Sequence, residues 1–302
     1  MASVPDIDAR WQLLAPGVDA YLQRGGWFVS NAGVIRGSTR TVFVDTCATE
    51  PRSRRLLALP AGSAPRPQPV SCVITHAHGD HANGAGLVAR GGGEVLATPG
   101  SAAEIRGGPH TYPQVFTDAR WGDIAPPAQV TEIRSHTLID TGTQLVEVYP
   151  VAGPAHTQDD LVVWLPRARV LFTGDLLFAD VTPLLFSGSL AGWLRAMEWL
   201  RGFDARWLVP GHGPLCTPES AAFTEQWRYL CWLREAVAPS EIDVFALTEV
   251  ARGRWSRWDL HERHPVNLMR AHAEVHGRPF DVAAAFAAML KVHGGKISLA
   301  DL

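Results

Sequence analysis

Apolar and polar positions alternate in short bursts along the first half of the chain. The segments VDAYLQ (18–23), GWFVSNAGVIRG (26–37) and TVFVDT (41–46) are apolar or β-branched and are punctuated by Gly25, Gly26, Gly33 and Gly37, the pattern of meandering strands. Residues 50–59 then read as a helix, PVSCVIT (69–75) as a buried strand, the segment after His81 as another helix and EVLAT (94–98) as a strand. Pro65, Pro67 and Pro69 predict a short stiff connection, and the proline-rich segment 107–129 reads as a long loop. Four more strand signals follow in VTEI, QLVEVYPV, DLVVWLP and RVLFTGDLLF, the last apolar enough for burial on both faces. Ser189 can cap a helix with Leu190, Trp193, Leu194, Met197 and Leu200 at helical spacing. WLVPGHG (207–213) reads as a strand, and Thr217, Pro218 and Glu219 read as the start of a helix with Phe223, Trp227, Leu230 and Cys231 on one face. Beyond residue 235 the pattern is helical. The two series predict an α/β fold with two sheets between helices over residues 1–215, and a helical extension over 216–302 packed on that core.

Composition narrows the function. The chain has 302 residues, enough for one large domain or two small ones at about 150 residues each. Its 27 Lys and Arg against 30 Asp and Glu, a net charge of −3, supply no pull toward phosphate backbones or anionic lipid, so neither nucleic acid nor membrane is expected as a partner. Cys47, Cys72, Cys216 and Cys231 are far apart with no C-x-x-C pair, which suits a reducing compartment better than a disulfide framework. The start MASVPDIDARWQLL carries acids where a signal peptide needs a basic stretch, and no run approaches about 18 apolar residues, so a cytoplasmic location is expected.

The chemistry concentrates in THAHGDH, residues 75–81. His76 and His78 would share a face of an ending strand, while Asp80 and His81 swing toward a neighbouring point as the chain turns. Two adjacent metal positions result, of the nitrogen and oxygen type that zinc accepts. Further ligands are offered by His156 in GPAHT, Asp175 in LFTGD and His212 in VPGHG, each expected at a strand terminus. Taken singly these are ordinary turn residues; together they complete a set. Asp45, Asp159 and Asp160 are candidates to receive the second ring N–H of the imidazoles, and Thr46, Thr75 and Thr157 to orient the same shell.

The order H-x-H-x-D-H, a His after a strand, an Asp in a TGD turn and a His in a PGHG turn resembles the metallo-β-lactamase superfamily. That resemblance implies an αββα four-layer sandwich with two Zn2+ between the sheets, iron or manganese being compatible with part of the same ligand set. By correspondence, His76, His78 and His156 hold one metal, Asp80, His81 and His212 the other, and Asp175 bridges them, with Asp80 and Asp175 the catalytic carboxylates. An aspartate at 175, where the zinc β-lactamases carry cysteine, turns the reading from antibiotic hydrolysis toward the hydrolase branch that includes glyoxalase II.

GGWFVSNAG (25–33), GPAHTQDDLVVWLP (153–166), VTPLLFSGSLAGWL (181–194) and VNLMRAHAEVHG (266–277) are similar to a narrower group, the metallo-β-lactamase-like cyclases of bacterial aromatic polyketide pathways. This likeness implies aldol ring closure and dehydration on an aromatic or poly-keto small molecule, with or without thioester cleavage from an acyl carrier protein. A glyoxalase II-like thioester, ester or lactone hydrolase is the alternative, and a metal-free binding module a third reading. Trp27, Tyr112, Phe116, Trp121 and Phe186 are the candidate substrate-binding residues, with Phe28, Phe178 and Trp193 nearby; aromatic walls suit a flat ligand, although each also suits a core. His110 could act as a general acid or base but reads more simply as a loop residue. His261, His264, His272 and His276 include an i, i+4 pair and read as surface or core histidines, and Cys216 as packing. Assembly into a homo-oligomer is left open.

Overall fold

The computed structural model describes residues 8–59 and 68–302, so of the proline connection at 65–69 only Pro69 falls within the described residues. The alternation of the first half builds a seven-stranded sheet. Strands β1 (Ala9–Ala15), β2 (Val18–Gln23), β3 (Ala32–Arg36) and β4 (Thr41–Val44) are antiparallel neighbours, and β5 (Val70–Val73) and β6 (Glu94–Ala97) continue in parallel. A two-residue strand, β7 (Phe116–Thr117), stands apart, and β8 (Thr131–Glu132) completes the sheet beside β6.

The second sheet has five strands: β9 (Thr137–Asp140), β10 (Leu145–Pro150), β11 (Leu161–Leu165) and β12 (Val170–Phe178) run antiparallel, and β13 (Trp207–His212) joins β12 in parallel. Val18, Ala20, Ile35 and Val42 of the first sheet pack against Val146, Val148, Val163 and Phe172 of the second. The Phe172 ring fills the space where a side chain at Gly33 would begin, 2.1 Å from an added Cβ, so only glycine fits there.

Helices cover both outer faces. On the first sheet lie α1 (Glu50–Leu57), the single turn α2 (Gly79–Ala82), α3 (Ala85–Arg90) and α4 (Pro99–Gly107), whose Leu56, Ala82, Val88, Ala102 and Ile105 pack on Phe43 and Ile74. On the second lie α5 (Leu190–Leu200) and α6 (Ala221–Ala236). The chain continues through α7 (Val244–Arg254), a 3-10 turn at His261–Arg263, α8 (His264–Val275) and α9 (Val282–His293), then returns in β14 (Ile297–Ser298) to pair with β7. The result is an αββα sandwich with further helices at its C-terminal end. Among the described residues no helix is long and apolar enough to cross a membrane.

Some elements differ from the sequence pattern. The strand expected over 26–37 is confined to Ala32–Arg36; Gly25 and Phe28 take left-handed backbone angles, and residues 27–31 form a buried loop instead. The helix expected from Thr217 starts at Ala221, because Thr217 and Ser220 close a separate turn first. Strands β1 and β9 and helix α4 give no clear signal in the pattern, since β1 is only half-buried and α4 is short and weakly amphipathic. Ser189 does cap α5, accepting from the Gly192 N–H.

The C-terminal histidines are structural. His272 and His276 reach the Pro239 and Val237 carbonyls, while His264 is fully buried. Asn267 donates to the Tyr229 hydroxyl, which in turn lies 2.9 Å from His264 Nδ1. Burial lowers His264 to about 3, aided by His261 and Arg252. A base with a depressed folded pKa binds its proton more readily unfolded, so stability is lost as pH falls below about 6.5. We expect this residue alone to make the protein about 2 kcal/mol less stable at pH 5 than at pH 8. Denaturant unfolding of the wild type and His264→Gln at both pH values checks this; equal pH dependence in the two proteins would contradict it.

Candidate metal centre

The site is built where elements of the two sheets run out. Past β5 the chain carries His76 and His78 into the one-turn helix α2, which presents Asp80 and His81. His156 follows β10 in a turn, and His212 closes β13. Asp175 was expected at a strand end but sits inside β12, which runs on to Phe178. The β12 and β13 pairing slips register on both sides of Gly174, a bulge of the kind that re-aims a side chain. Asp175 Oδ1 would lie 1.8 Å from a Cβ added at Gly211, so glycine in the PGHG turn makes room for the carboxylate.

The seven side chains expected from the sequence come together in two adjoining groups, His76, His78, His156 and Asp175 in one and Asp80, His81 and His212 in the other, each within 4.8 Å. In the first, His78 Nδ1 and His156 Nε2 are 3.0 Å apart, and Asp175 Oδ2 is 3.3 Å from His156 Nε2 and 3.8 Å from His76 Nε2. In the second, Asp80 Oδ2 is 3.2 Å from His212 Nε2 and 3.8 Å from His81 Nε2. Asp175 joins the groups, at 3.1 Å from His81 Nε2 and 3.3 Å from His212 Nε2.

Hydrogen bonds on the far side of the rings set which nitrogens face inward. His81 Nδ1 donates to Asp45 Oδ2 at 2.8 Å, and His212 Nδ1 to the Val29 carbonyl at 3.0 Å, which turns each Nε2 toward the cluster. The Thr75 hydroxyl donates to Asp45 Oδ2 at 2.8 Å and is then an acceptor for His76 Nδ1 at 3.1 Å. One carboxylate thus orients two imidazoles, and it is itself buried, held by the Thr75 N–H at 2.6 Å.

Charge within the group is balanced internally. Burial lowers His76 and His78 well below the usual imidazole range and His156 to about 4. Burial also acts to lower His81 and His212, but the carboxylates around them, Asp175 foremost, outweigh it and raise both. Asp80 feels burial in the opposite sense, yet His81 and His212 bring it down to about 2. Burial raises Asp45, against the pull of His81, and Asp160 to about 6.

The donor set fits a pair of divalent cations. His76 Nε2, His81 Nε2 and Asp175 Oδ1 are buried and have no aligned hydrogen-bond partner among the described residues. Such atoms cost roughly 1–3 kcal/mol each unless something satisfies them, and imidazole nitrogens with carboxylate oxygens are what zinc takes. Aromatic rings hold the cluster from outside: Phe178 stacks on His212 at 5.0 Å, and Phe186 on His78 at 5.0 Å.

A cavity of about 50 Å3 lies over the cluster, with His78, Asp80, Asp175 and His212 at its floor. Of the aromatic candidates, Trp27, Tyr112, Phe116 and Phe186 line it, as do Phe28 and Phe178. Trp121 stands behind Phe28, 5.1 Å away, and Trp193 is a fully buried core residue whose indole donates to the Leu176 carbonyl. His110 pairs through its backbone with Asn83 and does not reach the lining. Asp160 holds Thr157 beside His156, whereas Asp159 accepts from the Gly100 N–H at the start of α4. Thr46 accepts from the Gly84 N–H and donates to the His81 carbonyl.

Two groups escaped the sequence reading. Ser30 donates to the Asp80 carbonyl, and Asn31 to the Pro210 and Gly213 carbonyls, so the buried loop before β3 holds both α2 and the end of β13. Leu184, Arg263, Phe286 and Met289 complete the cavity wall from beyond residue 180, where the pattern offered only packing residues.

A family model described as the metallo-beta-lactamase superfamily matches residues 25–212, ending at the last histidine of the cluster. Among curated proteins the chain is similar to the beta-lactamase-like protein 2 homolog of Caenorhabditis elegans, 31% identical over 65 residues, which are 22% of this chain and 21% of that protein's length. It is also similar to the metallo-beta-lactamase type 2 of Bacteroides fragilis, 22% identical over 216 residues, 68% of this chain and 78% of that one. A metallo-beta-lactamase from Pontibacter korlensis shares the fold with a TM-score of 0.60 and 22% identity, over 74% of this chain and 99% of that chain. The metallo-beta-lactamase FIM-1 from Pseudomonas aeruginosa, in its mono-zinc form, does so at 0.57 and 21%, over 76% and 97%.

Proposed function

The chain belongs to the metallo-β-lactamase superfamily, and from that premise we propose that it is a dinuclear metal-dependent enzyme acting on the carbonyl of an acyl or thioester substrate. The observation that carries this reading is the convergence of seven buried side chains on two adjoining points, with inward-facing atoms that no protein group satisfies. His76, His78 and His156 would hold one cation, Asp80, His81 and His212 the other, and Asp175 would be shared. Two cations bound there would supply hydroxide at neutral pH and polarise a carbonyl oxygen.

The protein's own residues prepare the rest. Asp45 and Thr75 orient the His81 and His76 rings before anything binds, with each Nε2 turned toward the cluster. The Asp80 carboxyl, held ionised on the cavity floor, can accept a hydrogen bond from the nucleophile and orient it toward the substrate carbonyl. Phe28, Tyr112 and Phe186 keep bulk water from the floor. We assign residues 1–215 as the catalytic core and 216–302 as an extension that completes the pocket wall.

Within this class we favour an aromatic polyketide cyclase, closing a ring by aldol addition and dehydration, with or without thioester release from an acyl carrier protein. Its support is the aromatic lining of the cavity and the four segments similar to such cyclases. One observation favours a glyoxalase II-like hydrolase instead: 50 Å3 is well below the roughly 150 Å3 that accepts a benzene ring, so a polycyclic ligand requires Tyr112, Phe186 or Phe286 to swing aside.

Metal analysis and turnover test the reading together. We expect about two zinc ions per chain after loading, loss of at least one in His76→Ala with the fold retained, and ring closure of an aromatic poly-β-keto thioester at a rate exceeding hydrolysis of small acyl thioesters. Hydrolysis of small thioesters alone would select the hydrolase, and full activity in metal-free protein would remove the proposal.

A further inference from the structure

Arg263 is a buried cation with no counter-ion. Its side chain is 2% exposed, and no carboxylate lies within ion-pair distance of it among the described residues. One nitrogen, Nη1, donates to the Thr182 carbonyl at 2.9 Å, while Nε is buried without any partner. The neighbouring carboxylate, Glu262, is engaged elsewhere, accepting from the Trp27 indole N–H at 2.6 Å. Buried arginines are ordinarily paired, because a guanidinium removed from water has to recover its lost hydration from an acceptor.

The surroundings hold this group in place rather than neutralise it. The guanidinium lies 4.2 Å over the Trp27 ring and 5.8 Å from the centre of Phe178, and Phe178 stacks in turn on His212. Arg263 therefore sits about one aromatic ring away from the metal cluster and forms part of the same cavity wall. It is turned inward by a 3-10 turn that follows Leu260, a bulky residue held at φ 59°, a backbone state such a side chain rarely adopts. Burial lowers it to about 10, against the opposing pull of Glu262, Asp175 and Asp80, so it stays charged at neutral pH.

We propose that Arg263 anchors an anionic oxygen group of the substrate, a carboxylate or the enolate of a β-keto unit, so that the enzyme takes acyl compounds whose second oxygen function lies about one ring's width from the reacting carbonyl. The planar fork of the guanidinium suits two oxygens at once, and the free Nε is one of the two donors such a grip uses. This deepens the acyl-substrate reading above and rests on it for the identity of the reacting carbonyl, but the anion grip is measurable by binding alone.

Acetate and the isosteric neutral acetamide, small enough for the 50 Å3 cavity, are the probes, titrated into zinc-loaded protein and followed at the tryptophan indole NMR signals, with Trp27 as the reporter. The wild type is expected to bind the acid at least tenfold more tightly than the amide. Arg263→Gln, which keeps a donor for Thr182, is expected to lose at least tenfold of the acid affinity and leave the amide affinity unchanged. Arg263→Lys, which keeps charge without the fork, is expected to fall between them and decides the matter if the glutamine variant does not fold. Equal binding of acid and amide by the wild type, or acid affinity unchanged in the variants because the cations hold the anion instead, overturns the proposal. Zinc content of the same samples reports separately on the metal reading: a protein that takes up no zinc on loading yet still prefers the acid would leave Arg263 in its role and remove the catalytic reading.

Discussion

Asp175→Asn is expected to lower activity by about a thousandfold or more and to leave no more than one metal ion per chain, while the metal-free protein still unfolds in a single cooperative melt. The carboxylate reaches His156 and His212 at 3.3 Å and His81 at 3.1 Å, so it is the one side chain common to both groups. Burial raises its carboxyl, but His212, His81 and His156 together bring it well below the usual range, so it enters the site as an anion. An asparagine keeps the shape and removes the charge, and with it the balance for two dications among five imidazoles. Losing a partner that only orients a ligand costs ten- to a hundredfold in affinity or activity, and losing a shared ligand should cost more. The core contacts of β12 come from Leu171, Phe172, Leu176 and Leu177, which the substitution leaves in place. Metal analysis, a thioester assay and a melt of one preparation decide it: two ions per chain in the variant would show that the bridge is dispensable.

Asp45→Ala is expected to cost about 3–5 kcal/mol of stability and ten- to a hundredfold in zinc affinity. Asp45 accepts from His81 Nδ1, from the Thr75 hydroxyl and from the Thr75 N–H, all buried, so its removal strands three donors at once. The cost of an orphaned buried donor exceeds the net worth of a made bond, which is why the loss should be large. The residue also sits at φ 62°, where aspartate is better tolerated than alanine. Asp45→Asn, keeping one oxygen acceptor, should fall between the two. Urea unfolding and chelator competition provide the measurements; a loss below about 1 kcal/mol would mean that water takes over the vacated bonds.

These two carboxylates differ in how far the sequence announces them. Asp175 stands in a TGD run that completes a pattern with THAHGDH and PGHG, and each of those motifs is a local run whose residue types already suggest ligands. Asp45 stands in VDT, one of three equally plausible aspartates. Asp160 proved to hold Thr157 and Asp159 to start α4, and nothing local separates the three. The same limit applies to the elements. β12 announces itself by nine consecutive buried residues, whereas the half-buried β1 and the weakly amphipathic α4 have no period to read.

Hydrophobic periodicity and the identity of the clustered histidines and aspartates are properties of short stretches, and from them the sequence by itself determined the layered α/β architecture and the seven side chains that meet at its centre. Tertiary structure alone decided which far-side partner orients each ring, that Trp121 stands behind the cavity wall, and that Arg263, Phe286 and Met289 finish that wall. Those facts depend on contacts between positions far apart along the chain, 235 residues in the case of Trp27 and Glu262. A contact of that kind is made by packing two finished layers together, and neither segment carries any sign of its partner until both are buried.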